Sequence, residues 1–564
     1  MAAIMEAVDA RSENGWGGAA RIDAGHVESL ALRMVAWPSV GGTPGEAEFA
    51  GRLQELLLEI PYFRENPDDL RIVDGYGDPK ARNVAALVRG RGRRTIVLAG
   101  HYDTVAVDNY GSLRDLACEG FALRDALVAE LSGRERTEQE EQALADLLGG
   151  DFLPGRGMLD MKSGLAVAVA CLERFAADPD RHGNILFVAT PDEERESRGM
   201  RAMRDALPSL AASLGIEIAG AINLDVTSDQ GDGADGRAAY AGTIGKLLPF
   251  AMMVGCGSHA SYPFEGISAQ AMAAGVLARL EGNADLADRD HTDVSPPPIC
   301  LEAKDLREGY EVTTPERFWL AFNWLYHAMT AEDLFRRFAD EVRAGTTDAV
   351  TRFAAQSEAH SRRTGRKAGA VQPAPRVLTV GELRARAADI VGADFEALYA
   401  DEERRHAQVD NPLVASRLLT DWLVGLARIV GPAAVVGFAG LHYPPSRLLD
   451  TDDDRSLREA IDGVRAELAA EPDRAVVWKP FFQGISDMSF LGQAAAGRDV
   501  VSANTPISRL VDHPPADALR FPVVNIGPWG REFHQRLERV HVPYAFGVLP
   551  EAVYRIARIV LDRP

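Results

Sequence analysis

The chain has 564 residues, of which 46% are hydrophobic and 26% are charged, and its formal net charge at pH 7 is −22. This length is too great for a single hydrophobic core, so we expect two or more domains. The excess of acidic residues argues against nucleic acid and anionic membrane surfaces as partners, because both are bound by clustered lysine and arginine.

Strands and helices alternate in the first part of the chain. After a loose tail over 1–22, the segments "NVAALVRG" and "TIVLAGHYD" predict a strand pair joined by a basic turn. The apolar segments "NILFVATPDEE" and "EIAGAINLDVTSD" predict two further strands, and the helix "GLAVAVACLERFAA" precedes them. This alternation predicts a mostly parallel α/β sheet.

The sequence changes character after Asp229, where "GDGADGR" indicates a turn-rich boundary. A strand "KLLPFAMMVG" and a helix "GISAQAMAAGVLARLEG" follow, and residues 310–360 are predicted to be largely helical. The last hundred residues return to the α/β pattern. We therefore predict a catalytic domain in two parts, 23–227 and 446–564, with an inserted domain over 228–445.

Two features that the sequence lacks bear on where the protein is located in the cell. No run of about 18 apolar residues is present, so we expect no membrane-spanning helix. The four cysteines form no Cys-x-x-Cys pair, which disfavours a disulfide framework and favours a reducing, cytoplasmic compartment.

Acidic and histidine side chains collect at four predicted strand ends, one of them in the segment "GRGMLDMKSG". These residues are His101, Asp103, Asp160, Glu193, Glu194 and Asp225. In an open α/β sheet, ligands bind at the carboxyl ends of the strands. Carboxylates gathered there repel one another unless a cation lies between them, so we predict a divalent metal site. Imidazole and carboxylate ligands suit zinc, with cobalt or manganese as alternatives.

Two metal ions would need a shared carboxylate. Asp160 is the best candidate, because Gly157 and Gly164 beside it permit an unusual backbone path. Asp103 lies two residues after His101 and can fix the orientation of its ring. A second histidine should complete the site. His534 and His541 are both candidates, and the spacing from His534 to Glu538 predicts the start of a helix.

Five segments in this order resemble a known family. "GHYDTV", "GRGMLDMKSGLA", "TPDEERESRG", "LDV" and "GPWGREFH" are similar to the motifs of the two-zinc aminoacylase, carboxypeptidase G and succinyl-diaminopimelate desuccinylase superfamily. The long inserted region most resembles the arginine-utilisation, RocB-like branch. The resemblance implies a zinc-exopeptidase-like sheet flanked by helices, with an enlarged, inserted α+β (ferredoxin-like) lid and dimerisation domain.

The resemblance also implies roles for single residues. His101, Asp160 and Asp225 would hold one zinc ion, and Asp160, Glu194 and His534 the other. The peptide bond after Asp160 would be cis, and Glu193 would be the general base. His259 would stabilise the oxyanion, often in the site of a partner subunit, and the segment with Gly484, Ser486 and Asp487 would lie near the substrate backbone.

One departure from the family concerns the substrate. Many relatives carry an Asp-x-Arg triplet in the lid, whose arginine binds the substrate carboxylate, and the comparable region here has none. Lys304, Arg307 or Arg317 are the candidate replacements. We expect a homodimeric, metal-dependent hydrolase of a small-molecule amide or short peptide, either a peptidase or an N-acyl amino acid deacylase in arginine or amino-acid catabolism. The alternative is a non-hydrolytic metal-binding sensor or partner-binding protein on the same fold.

Overall fold

The computed structural model describes residues 21–77, 81–228, 231, 233–290, 293–367, 369, 373–406, 408–493 and 497–563. The tail expected over 1–22 therefore lies almost entirely outside the described residues. Among the described residues, no helix combines the length and the apolar character needed to cross a membrane.

The strands are short except near the centres of the two large sheets. In chain order they are β1 Leu70–Asp74, β2 Arg82–Arg89, β3 Arg91–His101, β4 Phe152–Pro154, β5 His182–Thr190, β6 Glu217–Asn223, β7 Thr227–Ser228, β8 Ala238–Tyr240, β9 Gly242–Thr243, β10 Gly245–Leu247, β11 Pro249–Val254, β12 Arg289–Asp290, β13 Asp293–Val294, β14 Ile299–Asp305, β15 Arg317–Tyr326, β16 Arg376–Thr379, β17 Ala433–Phe438, β18 Ser446–Arg447, β19 Val477–Lys479, β20 Val523–Asn525, β21 Trp529–Arg531 and β22 Arg539–His541.

The helices lie between these strands and cover their faces. They are α1 Ala24–Val35, α2 Pro44–Leu57, α3 Pro61–Glu65, α4 Gly120–Ser132, α5 Glu138–Gly149, α6 Ser163–Ala177, α7 Arg198–Leu214, α8 Ala269–Leu280, α9 Ala331–Thr364, α10 Val380–Val391, α11 Phe395–His406, α12 Pro412–Leu426, α13 Asp452–Leu468, α14 Arg498–Asn504 and α15 Leu549–Leu561.

The main sheet has eight strands in the order β1-β2-β5-β3-β6-β20-β8-β19. Its central strands β5, β3, β6 and β20 are parallel, as the sequence predicts. Alternate residues of β3 enter two different layers. Ile96 and Leu98 pack with helices α1, α2, α6 and α15, whereas Val97 and Ala99 pack with α7. The sheet is therefore buried on both faces, which explains why its strands are apolar runs without polar alternation.

The predicted pairing of "NVAALVRG" with "TIVLAGHYD" is wrong. Both segments form strands, β2 and β3, but β5 lies between them and pairs with each. The other edge of β3 pairs with β6, so β3 occupies the middle of the parallel sheet. The end of β3, His101, consequently lies at the centre of the sheet edge.

A second sheet lies within the range expected for the insertion. Its strands follow the order β14-β15-β11-β17-β16, and β10 continues β11 along β15. Helices α8 and α9 cover one face, where Gly275 and Gly345 let the two backbones approach closely. Helices α10, α11 and α12 cover the other face. This additional helical layer accounts for much of the unusual length of the region.

Two details differ from the sequence analysis. Residues 317–326 form the central strand β15, although 310–360 was predicted to be largely helical. β8 lies after residue 228 but pairs in the main sheet, with β19 and β20. The first difference has a physical reason, because "RFWLAFNWLY" is buried on both faces and carries no periodic pattern that separates a strand from a helix.

Candidate metal centre

Five predicted ligands meet at the carboxyl edge of the main sheet. One carboxylate oxygen of Asp160 lies 3.1 Å from Nε2 of His101, and the other lies 3.0 Å from Nε2 of His534. His101 Nε2 is also 3.5 Å from Asp225 Oδ1, and His534 Nε2 is 2.9 Å from Glu194 Oε1. Ligand atoms of His101, Asp160 and Glu194 all lie within 4.8 Å of one another.

The parallel strands explain this convergence. His101 ends β3, Glu193 and Glu194 follow β5, and Asp225 follows β6, so three neighbouring strands deliver their side chains to one edge. The prediction that Asp160 ends a fourth strand is wrong: Asp160 lies in the turn Met158–Lys162, directly before α6. Gly157 has a φ of +77°, and the Asp160–Met161 peptide bond is cis, as the resemblance implies.

Asp103 supports the site mainly through backbone contacts. Its carboxylate accepts hydrogen bonds from the backbone N–H groups of Glu193 and Glu194, at 3.0 and 3.1 Å. His101 Nδ1 lies 3.1 Å from the carbonyl oxygen of Asp103 and 3.5 Å from its carboxylate. Asp103 is thus placed to fix both the His101 ring and the loop that carries the two glutamates.

The pKa shifts show how much negative charge is concentrated here. Burial, and then the charges of nearby carboxylates, raise the pKa of Glu193 well above its usual range. The same causes raise the pKa of Glu194 to about 7, and burial raises that of Asp487 to about 7. Burial alone would lower the pKa of His101 and His534, but their bonds to carboxylates raise it, for His534 to about 10.

This donor set fits divalent metal ions. The site joins imidazole nitrogens to an excess of buried carboxylates, which is a stable arrangement only when cations compensate the charge. Asp160 offers one oxygen to each histidine, as a carboxylate shared by two ions would. The residues that would hold ions are His101, Asp160 and Asp225 on one side, and Asp160, Glu194 and His534 on the other.

His534, rather than His541, meets Asp160. The predicted helix after His534 is absent: the described residues 532–538 form a series of turns, and His534 has a φ of +64°. His541 lies on β22, where its ring packs against Phe152 and Trp529, and burial lowers its pKa to about 4.

Sequence reasoning missed the residues that hold the His534 turn. Asn109 Nδ2 and Arg156 Nη2 both donate to the carbonyl oxygen of His534, at 3.0 and 3.2 Å. Arg156 also forms a fully buried ion pair with Glu538. Glu538 in turn accepts a 3.1 Å hydrogen bond from the backbone N–H of Gly157. The turn of His534 and the turn of Asp160 are therefore connected by one buried ion pair.

The charged segment 109–153 makes further contacts with the same region. Asp146, on α5, accepts hydrogen bonds from Arg531 at 2.6 Å and from Arg539 at 2.8 Å. Glu130, on α4, pairs with Arg536 at 2.5 Å. These contacts join residues more than 380 positions apart, so only the three-dimensional structure could identify them.

The predicted substrate segment lies beside the metal centre. Thr190, at the end of β5, donates to Asp487 Oδ2 at 2.9 Å, and Asn223, at the end of β6, donates to Ser486 Oγ at 3.1 Å. Gly484 accepts a 2.9 Å hydrogen bond from Thr243. The other oxygen of Asp487 is buried and has no hydrogen-bond partner among the described residues.

The structure does not bring His259 or the candidate lid cations to this centre. His259 is exposed, and its Nδ1 accepts a 3.1 Å hydrogen bond from the backbone N–H of Ser261. Arg307 pairs with Asp305, and Arg317 lies 3.5 Å from Asp421. Lys304 is exposed on the outer strand β14. None of the three cations contacts a metal-centre residue in the described part of the chain.

The chain is similar to known proteins over most of its length. The model of peptidase family M20/M25/M40 matches residues 145–502. Two proteins of Bacillus subtilis (strain 168) are each 28% identical to this chain. Protein RocB aligns over 543 residues, 93% of both chains, and the uncharacterized protein YqjN aligns over 532 residues, 93% of this chain and 94% of YqjN.

The fold also matches solved peptidase structures. A tripeptidase from Staphylococcus aureus superposes with a TM-score of 0.52 at 15% sequence identity, covering 96% of this chain and all of the tripeptidase. Because the family model covers well over half of the chain, we assign the protein to the M20 family of peptidases. It is therefore a hydrolase with the fold of that family.

Proposed function

We propose that the protein hydrolyses an amide bond with a centre of two divalent metal ions. The observation that carries this proposal is the position of Asp160, whose two oxygens face His101 and His534 separately. Zinc is the expected ion, with cobalt or manganese as alternatives. When bound, the ions would polarise the substrate carbonyl and lower the pKa of a water molecule toward neutrality.

Glu193 is the proposed general base. It lies next to Glu194 in sequence, and its backbone N–H is fixed by Asp103, so its position relative to the ligands is well defined. A pKa raised by burial suits a carboxylate that accepts a proton from water and then donates it to the leaving amine. A metal-binding sensor has no need of such a base, so its presence favours hydrolysis over the non-hydrolytic alternative.

A homodimer through the inserted region would complete the site. His259 is exposed and forms no hydrogen bond or ion pair with a metal ligand among the described residues, so we propose that it stabilises the oxyanion in the site of a partner subunit. The edge of β14 supports this arrangement. Its side chains Ile299 and Leu301 are 42% and 53% exposed, and β14 pairs only with β15 among the described residues.

The proposed substrate is a small amide or a short peptide. The fold is shared with a tripeptidase, and the resemblance to the arginine-utilisation branch supports a role in the catabolism of arginine or another amino acid. Gly484, Ser486 and Asp487 would contact the substrate backbone, because their segment borders the strand ends that carry the metal ligands.

Amine release from N-acyl amino acids, N-acyl arginine derivatives and dipeptides tests this proposal. Each compound would be assayed with zinc, with cobalt, and after chelation of the metal. Release that depends on metal and disappears on chelation is the expected result. A protein that binds two metal ions and hydrolyses nothing in the panel would contradict the proposal for these substrates, and one that binds no metal would contradict it altogether.

A further inference from the structure

The additional helical layer, α10 to α12, contacts a short piece of the last part of the chain, residues 506–512, which we name the bridge segment. Ile507 and Leu510 are buried in the apolar core that these three helices form with the second sheet. Tyr399 of α11 donates a hydrogen bond to the carbonyl oxygen of Pro506. The bridge segment is therefore packed into the helical layer.

The bridge segment also contacts helix α7, which covers the main sheet. Asp512 accepts hydrogen bonds from Arg201 at 2.9 Å and from Arg204 at 3.0 Å. Both arginines are buried, and hydrogen bonds between ionised groups are among the stronger ones in proteins. Helix α7 begins directly after the loop that carries Glu193 and Glu194. The bridge segment is thus fixed both to the inserted layer and to the domain of the metal centre.

Arg509, in the middle of the bridge segment, connects the helical layer to the metal centre. Its guanidinium forms an ion pair with Glu196, two residues after the proposed ligand Glu194. Its Nη2 also donates to the carbonyl oxygen of Val409, between α11 and α12, at 3.0 Å. The side chains of Arg509 and Glu196 are 29% and 21% exposed, so solvent screens this pair less than a pair on the open surface.

The loop 192–197 depends on contacts of this kind, because it consists of turns without regular secondary structure. Its first and last residues, Asp192 and Ser197, have φ values of 64° and 46°. Residues other than glycine adopt this conformation only where the surrounding structure imposes it. Asp103 holds the middle of the loop through two backbone N–H groups. The ion pair of Glu196 holds its other end.

We infer that Arg509 is a positioning residue, through which the additional helical layer holds Glu194 in place for one metal ion. This inference rests on the proposed function. Groups that fix the orientation of a ligand change metal affinity without touching the ion. The ion held by Asp160, Glu194 and His534, which we name the second ion, would therefore depend on Arg509. The first ion would depend on it less, because its ligand His101 ends the central strand β3.

The zinc affinities of the two ions test this inference, measured by chelator competition on the metal-loaded chain. In Arg509→Met we expect the second ion to bind about tenfold more weakly and the first ion to be unchanged. In the His534→Ala background, which removes the second ion, Arg509→Met should not affect the remaining ion. Arg509→Lys should recover part of the affinity, because its ammonium can still pair with Glu196.

Arg405→Met is the matched control. Arg405 pairs with Glu402 at 2.6 Å, and both residues belong to α11 of the same helical layer. Because this ion pair does not leave α11, the variant should bind both zinc ions like the wild type.

Hydrogen exchange gives a second readout that needs neither turnover nor bound metal. It would be measured by mass spectrometry on the zinc-loaded and on the chelated chain. In Arg509→Met we expect exchange of the backbone N–H groups in the loop 192–197 to be about tenfold faster than in the wild type. Exchange in strands β3 and β5 should stay as it is, and Arg405→Met should match the wild type throughout.

The outcomes distinguish this inference from the proposed function. Where two ions bind, an unchanged affinity for the second ion in Arg509→Met overturns the inference and leaves the two-metal centre standing. Equal weakening of both ions, with faster exchange in β3 and β5, shows general destabilisation and also overturns it. A wild-type chain without a second ion contradicts the proposed function, and exchange then decides on Arg509. Faster exchange confined to the loop supports the positioning role, and unchanged exchange overturns it.

Discussion

The two histidines that face Asp160 are held in contrasting ways. His101 ends a central strand of the main sheet and is 2% exposed, so its position follows from the sheet itself. His534 lies on an irregular turn, and 40% of its side chain is exposed. Its carbonyl oxygen depends on Asn109 and Arg156, which are far away in sequence. One half of the centre is thus built by secondary structure, and the other half by tertiary contacts.

Removing the shared carboxylate of Asp160 should weaken metal binding in both halves of the centre. In Asp160→Asn both ions lose a ligand, so we expect a loss of activity of about 10⁴-fold together with weaker binding of both metals. Steady-state kinetics and metal analysis after dialysis would measure this. Retention of two tightly bound ions by the variant would show that Asp160 does not bridge them.

Replacing the proposed base, Glu193, should leave metal binding in both halves of the centre unchanged. In Glu193→Gln we expect the metal content of the wild type and a loss in kcat of about 10³-fold, because proton transfer is removed without removing a ligand. The measurement is kcat with metal content determined on the same sample. Activity close to that of the wild type would exclude Glu193 as the base.

Breaking the buried ion pair between Arg156 and Glu538 should destabilise the turn that carries His534. Arg156→Met leaves Glu538 buried without its partner, which should lower the free energy of unfolding by about 3–5 kcal/mol. Denaturant unfolding measures this change. In the double variant Arg156→Met with Glu538→Gln, part of the loss should be recovered, because the uncompensated charge is removed. A double variant as unstable as the single one would argue against charge as the cause.

The contact from Asn109 should have the smallest effect. Asn109→Ala removes one hydrogen bond to the His534 carbonyl oxygen, worth about 1 kcal/mol. We expect the affinity for the more weakly held metal to fall about fivefold, with little change in the melting temperature. Arg114→Ala, which breaks an exposed ion pair with Asp108 in the same segment, is the control and should bind metal like the wild type. Equal effects of both variants would indicate general disruption of the segment.

The same contrast separates what the sequence could predict from what it could not. Strand ends followed by acids are local signals, and they predicted the group of His101, Asp160 and Glu194 that the structure brings together. The mostly parallel sheet followed from the alternation of strands with helices. The pairing of β2 with β3 was wrong because neighbouring strands in sequence need not be neighbours in a sheet, and β5 enters between them.

Longer-range features carried no sequence signal. The contacts of Asn109 and Arg156 with the His534 turn span 425 and 378 positions, and neither residue type is distinctive alone. Strand β15 was predicted to be helical because a short run buried on both faces has no diagnostic period.

The most direct test of the two-metal centre is a count of bound zinc in three proteins after reconstitution and dialysis: the wild type, His534→Ala and His101→Ala. We expect two ions per wild-type chain and one in His534→Ala, with the fold of that variant preserved because His534 lies on a turn between strands. His101→Ala should lose metal and stability together, because His101 is buried at the end of β3. A wild-type chain that holds one ion, with no further loss in His534→Ala, would contradict the central claim.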